Sequence, residues 1–336
     1  MSILVAGGAG YIGSHTVRAL LDRGETVVVL DDLREGHRAA VPDSVPLLEV
    51  DLLDRAATQA ALLEHTPEAV FHFAASCYVG ESVTDPGKYF RNNFVATLNL
   101  LDGMVAAGTR RFVFSSTCAT YGEPASLPII EDMPKEPVNP YGRTKLFCEQ
   151  ALADYEVAHG LKSVSLRYFN AAGAHPSGDL GEDHEPETHL IPLVLQVALG
   201  QREDIKIFGN DYDTPDGTCI RDYIHILDLA EAHILGLEAL REGRLTRAAF
   251  NLGNEEGHSV RQVIDTARKI TGHEIPAIET ERRAGDPPRL VGSSALAREV
   301  LGWQPRYGDL DSILETAWKW HRRHPRGYGG DTVKHD

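Results

Sequence analysis

The chain opens with "MSILVAGGAGYIGSH", a short apolar run that ends in a glycine-rich turn and passes into an amphipathic stretch. Gly7, Gly10 and Gly13 stand in a G-x-x-G-x-x-G spacing between the first expected strand and the first expected helix. Glycines there permit a tight turn and let backbone N–H groups approach a pyrophosphate at the helix N-terminus. A bare tight turn gives the same letters, so the flanking strand and helix give the pattern its weight. The second expected strand, "TVVVLDD", ends in Asp31 and Asp32, and Asp31 lies 21 residues past Gly10, where a ribose-binding acid is expected. Two carboxylates repel a 2′-phosphate, so the cofactor reading is NAD and not NADP. Asp32 reads as the more solvated of the two, and Asp51, ending the third strand, is expected on the adenine side.

The rest of the first half repeats the same rhythm. "PLLEVD", "AVFHFAA", "RFVFSS" and "SVSLRYF" read as further strands, with helix-length segments such as "KYFRNNFVATLNLLDGMVAAG" between most of them. Alternating β and α units build a parallel sheet, and strands apolar on both faces fit a sheet covered on both sides. After Phe169 the rhythm gives way to Pro- and Gly-rich loops, an isolated helix "SVRQVIDTARKI" and a strand-like "AFNLGN". The fold class expected is α/β: a Rossmann-type doubly wound parallel sheet with a smaller, less regular C-terminal substrate domain. The expected division is residues 1–168 for the NAD-binding domain, 169–322 for the substrate domain, with some segments returning to the first, and 323–336 for a loose polar tail.

Charge narrows the ligand. A formal net charge of −16 over 336 residues argues against a general phosphate-backbone binder, so no nucleic-acid partner is expected. No apolar run approaches the ~20 residues a membrane helix needs. The four cysteines, Cys77, Cys118, Cys148 and Cys219, form no Cys-x-x-Cys pair, and the chain enters a strand almost at once. Both features point to reduced thiols in a cytoplasm. The densest acidic cluster, "GEDHEPETH" at 181–189, has a proline and no helical ligand spacing, so it reads as a polar loop with no metal site.

The chemistry is carried by "NPYGRTK" at 139–145. Asn139 is a good N-cap and Pro140 a good first helical residue, which makes Tyr141 and Lys145 an i,i+4 pair on one helix face. Strand five leads into "SSTCATYG", with Thr117 just past its carboxyl end, where open α/β sheets bind ligands. These three residue types suit removal of a proton from a secondary alcohol. A phenol with a pKa of about 10 must fall to about 7 to act near neutrality, roughly 4 kcal/mol of preferential phenolate stabilisation. One cation about 4 Å away supplies nearly that at an effective dielectric of about 20, with a positive nicotinamide needed for the remainder against desolvation.

The hydroxyl, tyrosine and lysine, with the glycine turn, resemble the constellation of extended short-chain dehydrogenases/reductases. "FHFAA", "VGES", "RNNFVATLNLL", "RYFNAAGAH", "FGNDYDTPDGTCIRDYIHILDLA", "RRAGDPP" and "LGW" further resemble the UDP-glucose 4-epimerase family over residues 1 to about 320. The resemblance implies that Tyr141 takes the proton of the sugar 4-OH while C4 gives hydride to NAD. The 4-ketose then turns over and receives the hydride on its other face. It implies cofactor contacts from Gly7, Gly10, Tyr11, Ile12, Gly13, Asp31, Asp51, Leu52, Phe73, Ala74, Ala75, Asn92, Tyr141, Lys145 and Phe169. For the UDP-sugar it implies Thr117, Tyr141, Asn170, Leu190, Phe208, Arg221, Tyr223, Arg283, Asp286 and Leu290, with Leu290 at the sugar C2 side, where its bulk sets which sugars enter. A homodimer is also implied. Two positions depart from some family members: Cys77 stands where they have lysine, and His189 where they have asparagine.

Three alternatives stand beside this reading. An epimerase of UDP-N-acetylglucosamine or another UDP-sugar shares every motif. A sugar-nucleotide 4,6-dehydratase has an acidic pair after the threonine, where this chain has Cys118 and Ala119. A non-catalytic NAD-binding regulator need not keep Thr117, Tyr141 and Lys145 together.

Overall fold

The computed structural model describes residues 1–283 and 286–329. All six strands expected in the first half form: β1 (Ser2–Ala6), β2 (Thr26–Asp31), β3 (Leu47–Glu49), β4 (Ala69–His72), β5 (Arg111–Ser115) and β6 (Lys162–Tyr168). They lie in one sheet, entirely parallel, in the order 3-2-1-4-5-6, with the strand Arg247–Leu252 added outside β6. The order reverses between β1 and β4, so the carboxyl ends of these neighbours open the crevice where a dinucleotide binds in such sheets. Ile3, Leu4, Val5 and Ala6 of β1 are all fully buried, as a strand covered on both faces requires.

Local signals start and stop the helices. The first runs Tyr11–Asp22 from Gly10. Asn139 caps Pro140–His159, its side chain accepting from Gly142 N at 2.8 Å, and Gly160 ends that helix in the left-handed region. Ser259 and Gln262 form a capping box at the start of Val260–Thr271. Within "KYFRNNFV" the helix widens into a π-helical turn over Phe90–Val95 before Ala96–Ala107 resumes. Such turns displace side chains from the helical register and recur at functional sites.

The second half contributes to two cores. One joins Ile191, Val194, Leu195, Val263, Ile264, Ile313 and Leu314 from the helices Leu190–Ala198, Val260–Thr271 and Leu310–Arg323. Yet Leu229, Leu237, Phe250, Leu301 and Trp303 pack with β1 and β2 residues such as Ile3 and Val29. The helix Ile226–Arg241 and the strand Arg247–Leu252 therefore return to the sheet, because their apolar faces find β1, β5 and β6 there. The expected loose tail is corrected as far as residue 329. Tyr328 stacks on Trp320 at 4.7 Å and on His37 at 4.9 Å, and its N–H donates to Asp183 Oδ2 at 2.8 Å. One aromatic side chain with two stacking partners outweighs the polar composition around it. Residues 330–336 of that tail lie outside the described residues.

Candidate active site

The glycine turn is built for backbone approach. Gly7 has φ +78°, and a side chain on it would run into the backbone N of Ala74. A side chain on Gly13 would run into Gly7 O, while Gly10 N donates to that same carbonyl at 3.3 Å. The third glycine is thus a requirement of helix-on-turn packing and the first a requirement of the β1–β4 contact. Tyr11 donates its hydroxyl to Gly173 O at 2.6 Å, tying the turn to the second half, and Ile12 packs on the β1 core.

Asp31 is buried at the end of β2, with Oδ2 accepting from Ala9 N and Oδ1 from Leu33 N, both at 2.9 Å. Burial raises its pKa, and those two N–H donors oppose the rise. The carboxylate is fixed beside the turn, as a ribose-binding acid must be. Asp32 instead pairs with Arg34, whose guanidinium also reaches Asp51 at 3.2 Å and Asn92 Oδ1 at 3.4 Å. Arg34 is thus a cation beside the residues expected on the adenine side, and two carboxylates already occupy it.

Leu52 is buried, and its carbonyl accepts from Asn99 Nδ2 at 2.9 Å. Phe73 and Ala74 follow β4 with their N–H groups donating to Ala6 O at 2.7 and 3.1 Å, and Ala75 comes next in that loop. The π-helical turn aims Asn92 at Ser76 Oγ, at 3.0 Å, and lets Asn93 grip both the N–H and the carbonyl of Ser76 at 2.8 and 3.0 Å. The loop 73–76 is therefore held from both sides.

Thr117 is buried just past β5 and accepts from Ala119 N at 3.1 Å, capping a tight turn over Cys118–Tyr121. The helix carrying Tyr141 presses on that turn: a side chain at Gly142 would come within 2.5 Å of Ala119 O. This glycine lets the helix of Tyr141 pack directly on the turn that Thr117 caps. Lys145 is buried one helical turn on, donating to Ser115 O at 2.9 Å with Nζ 4.9 Å from the Phe114 ring. Burial is the largest influence on both groups. It raises the Tyr141 phenol, a rise that the nearby Thr117 hydroxyl opposes, and it depresses Lys145 to about 8. Burial thus works against ionisation of the Tyr141 phenol, and positive charge near it is what a phenolate here would require.

The residues expected on the sugar side lie largely on short strands and the loops between them. Asn170 and Tyr223 are paired across Asn170–Ala172 and Tyr223–His225, and Asn170 Nδ2 donates to Asp222 O at 2.9 Å. Arg221 donates to the carbonyls of Ile220 and Pro287, both at 2.9 Å, and lies 3.4 Å from Asp286. Arg283 sits 3.9 Å over the Phe208 ring, a cation held on an aromatic face. Leu190 begins its helix and is half-buried. Leu290 is in register with Arg221 and packs with Cys118, Tyr121 and Phe169, against the turn that Thr117 caps. Within "RRAGDPP", Ala284 and Gly285 lie outside the described residues.

The matching family model is the NAD dependent epimerase/dehydratase family, over residues 3–253. The chain belongs to that family. It is 53% identical to a UDP-glucose 4-epimerase of Halalkalibacterium halodurans over 98% of both chains. A crystal structure of a UDP-glucose 4-epimerase superposes with a TM-score of 0.96 at 52% identity, covering 98% of this chain and 99% of that one. The UDP-glucose 4-epimerase of Brucella ovis, in complex with NAD, superposes with a TM-score of 0.92 at 51% identity, covering 94% and 97%.

NAD, the cofactor of the family, fits the residues present: Gly7 and Gly13 have no room for side chains, and the Asp31 carboxylate is fixed beside them. Sequence reasoning missed the supports beneath the site. Arg167 pairs in the interior with Glu149 and donates to Tyr121 OH at 2.7 Å, while Ser116 donates to Glu149 at 2.6 Å. Tyr121 in turn donates to Asn251 Oδ1 at 2.7 Å, so a buried polar network fixes the turn that Thr117 caps. Asp222 is fully buried, accepts from Asn254 N and Gly292 N at 3.0 and 3.1 Å, and is pushed up to about 7 by burial. The one available signal for it was an acid flanked by strand-forming residues in "CIRDYIH".

Proposed function

We propose that the protein interconverts UDP-glucose and UDP-galactose, with NAD held between the glycine turn and Tyr141. When bound, NAD takes and returns hydride at sugar C4, so the net reaction is an inversion with no overall oxidation. Tyr141 is the base that removes the 4-OH proton and later gives it back. Thr117 hydrogen-bonds the reacting oxygen, and Lys145 supplies one of the two positive charges the phenol needs. Arg221 and Arg283 grip the diphosphate, giving locally the positive charge that an acidic chain lacks overall. Asn170, Leu190, Phe208, Tyr223 and Asp286 complete the nucleotide side, and Leu290 bounds the sugar.

The observation that carries this reading is the gathering of three groups past the carboxyl end of β5: Gly142 lets the helix of Tyr141 press on the turn that Thr117 caps, and Lys145, one helical turn on, is buried against Ser115 O. Against a 4,6-dehydratase stand Cys118 and Ala119 after the threonine, which supply no acid and base for elimination. Purified protein incubated with UDP-galactose and no added cofactor should produce UDP-glucose on chromatography. Unchanged substrate, from a preparation shown to contain NAD, would defeat the proposal.

The assembly we infer is a homodimer. Its support is an apolar exposed patch: Phe90 and Phe94 pack round the exposed Phe147 at 6.0 and 5.8 Å, with the exposed Val95 beside them in the chain. Phe147→Arg should convert the dimer to a monomer in light scattering; an unchanged mass would exclude this face. Four free thiols support a reducing, cytoplasmic setting, and no helix among the described residues is long and apolar enough to cross a membrane.

A further inference from the structure

The loop 181–189 takes no part in the sugar chemistry proposed above, yet it is folded around four side chains that face one another. One ligand atom from each of Glu182, His184, Glu187 and His189 lies within 4.8 Å of all the others. The two glutamate side chains are 5% and 6% exposed and His184 13%, so three of the four groups are removed from water. His184 Nδ1 is 3.3 Å from Glu182 Oε1 and 3.5 Å from Glu187 Oε2. His189 Nδ1 is 3.1 Å from Glu182 Oε1 and 2.9 Å from Glu187 Oε1. A tetrahedral zinc with bonds of about 2.0–2.1 Å has ligand-to-ligand edges of about 3.3–3.4 Å, a length these four distances bracket.

A second feature separates this cluster from an ordinary set of ion pairs. His184 Nδ1 is buried and makes no hydrogen bond, although two carboxylate oxygens stand within 3.5 Å of it. Its orientation suits a centre shared with those oxygens better than a bond to either one. The Glu187 carboxylate is already braced, Oε1 accepting from the backbone N–H groups of Thr188 and His189 at 2.6 and 2.7 Å, which leaves Oε2 turned toward His184. Bracing of a ligand carboxylate by other donors is what orients a metal site's first shell.

We propose that Glu182, His184, Glu187 and His189 form a four-coordinate structural site for a divalent transition-metal ion, zinc being the ion that suits two imidazoles and two carboxylates. All four positions are filled by protein, so no place remains for a reacting water and the role is to hold structure. What it holds is specific. The His184 ring lies edge-on to Tyr11 at 6.2 Å and to Tyr78 at 6.5 Å, next to the glycine turn and the loop after β4. Asp183 O is bonded to the His37 ring at 3.1 Å, and Glu182 O accepts from Trp320 Nε1 at 3.0 Å. His189 is the residue that leads into the helix Leu190–Ala198 of the second core. The ion clamps the wall of the cofactor crevice to the start of that helix.

The test uses the full chain expressed with zinc and dialysed against metal-free buffer. Elemental analysis should find about one zinc per chain, as one closed four-ligand site requires. Removing it with a chelator should lower the unfolding midpoint by several degrees, and zinc should restore it, as expected for a ligand that binds only the folded state. Cobalt(II) added to the stripped protein should give the intense visible bands of a four-coordinate ion. The His184→Ala/His189→Ala double variant should lose both the metal and the response to chelator. Zinc no higher than the buffer background in wild type, or undiminished in the double variant, overturns the proposal. Should the double variant not fold, the wild-type cobalt spectrum decides alone: pale six-coordinate bands, or none, reject the site.

Discussion

Around Gly7 and Gly13 the backbone leaves no room for a side chain, whereas around Leu290 the chain is held by a two-residue strand and a half-buried leucine. The cofactor side rests on a seven-stranded parallel sheet, and Thr117, Tyr141 and Lys145 are fixed to it through Ala119, Gly142 and Ser115. The proposed sugar side draws on Phe208, Arg221, Arg283 and Leu290, which lie on short strands and connecting loops. Chemistry that must return hydride to the same carbon needs a base in a fixed place, while a sugar that must turn over needs a looser hold. On that reading, substitutions on the two sides should break different kinetic quantities.

The largest effect belongs to the cofactor side. Tyr141→Phe should lower kcat by roughly 10²–10⁴-fold, the span of general acid–base catalysis, with NAD content unchanged. Parallel loss of NAD would mean that the two functions of this side are not separable. Next comes Lys145→Met, which keeps the bulk and removes the cation nearest the phenol in the proposed site. Burial already raises the phenol's pKa, and losing a positive charge raises it further, so the residual activity should peak at higher pH than wild type. An unmoved pH profile would assign Lys145 to positioning alone.

On the sugar side, Arg283→Ala removes a charged partner that lies over Phe208. A charge-assisted contact is worth about 1.5–3 kcal/mol, so KM for the UDP-sugar should rise about 10- to 150-fold with kcat nearly kept. A fall in kcat with KM unchanged would move Arg283 into the chemical step. The smallest effect is Leu290→Tyr. Room for a methylene or two discriminates by only about 1–3 kcal/mol, so wild type should also act weakly on the N-acetyl pair. The variant should lose that weaker activity and keep the main one; equal change in both would show that Leu290 does not bound the pocket.

The same contrast explains what the sequence made legible. The β-strands, the Asn139 cap and the glycine turn are local patterns whose partners lie within a few residues. Asp31 was placed by a fixed distance from Gly10. The Arg167, Glu149, Tyr121 and Asn251 network joins four separate parts of the chain with no common period, so nothing in the letters links them. No local pattern marked Arg34, which stands beside Asp51 and Asn92 only once the chain is folded. The loop 181–189 was correctly read as irregular and polar, but convergence of its four side chains depends on backbone turns that composition does not encode. A return of some later segments to the first domain was expected, but not that the helix Ile226–Arg241 is one of them, because an apolar face says nothing of which sheet receives it.

The central claim is that one base and one bound cofactor invert C4 without exchanging its hydrogen with water. UDP-galactose carrying deuterium at C4, turned over by the purified protein with no added NAD, tests this directly by NMR or mass spectrometry of the product. The account predicts UDP-glucose with the deuterium still on C4; product with that deuterium replaced by solvent hydrogen would contradict it.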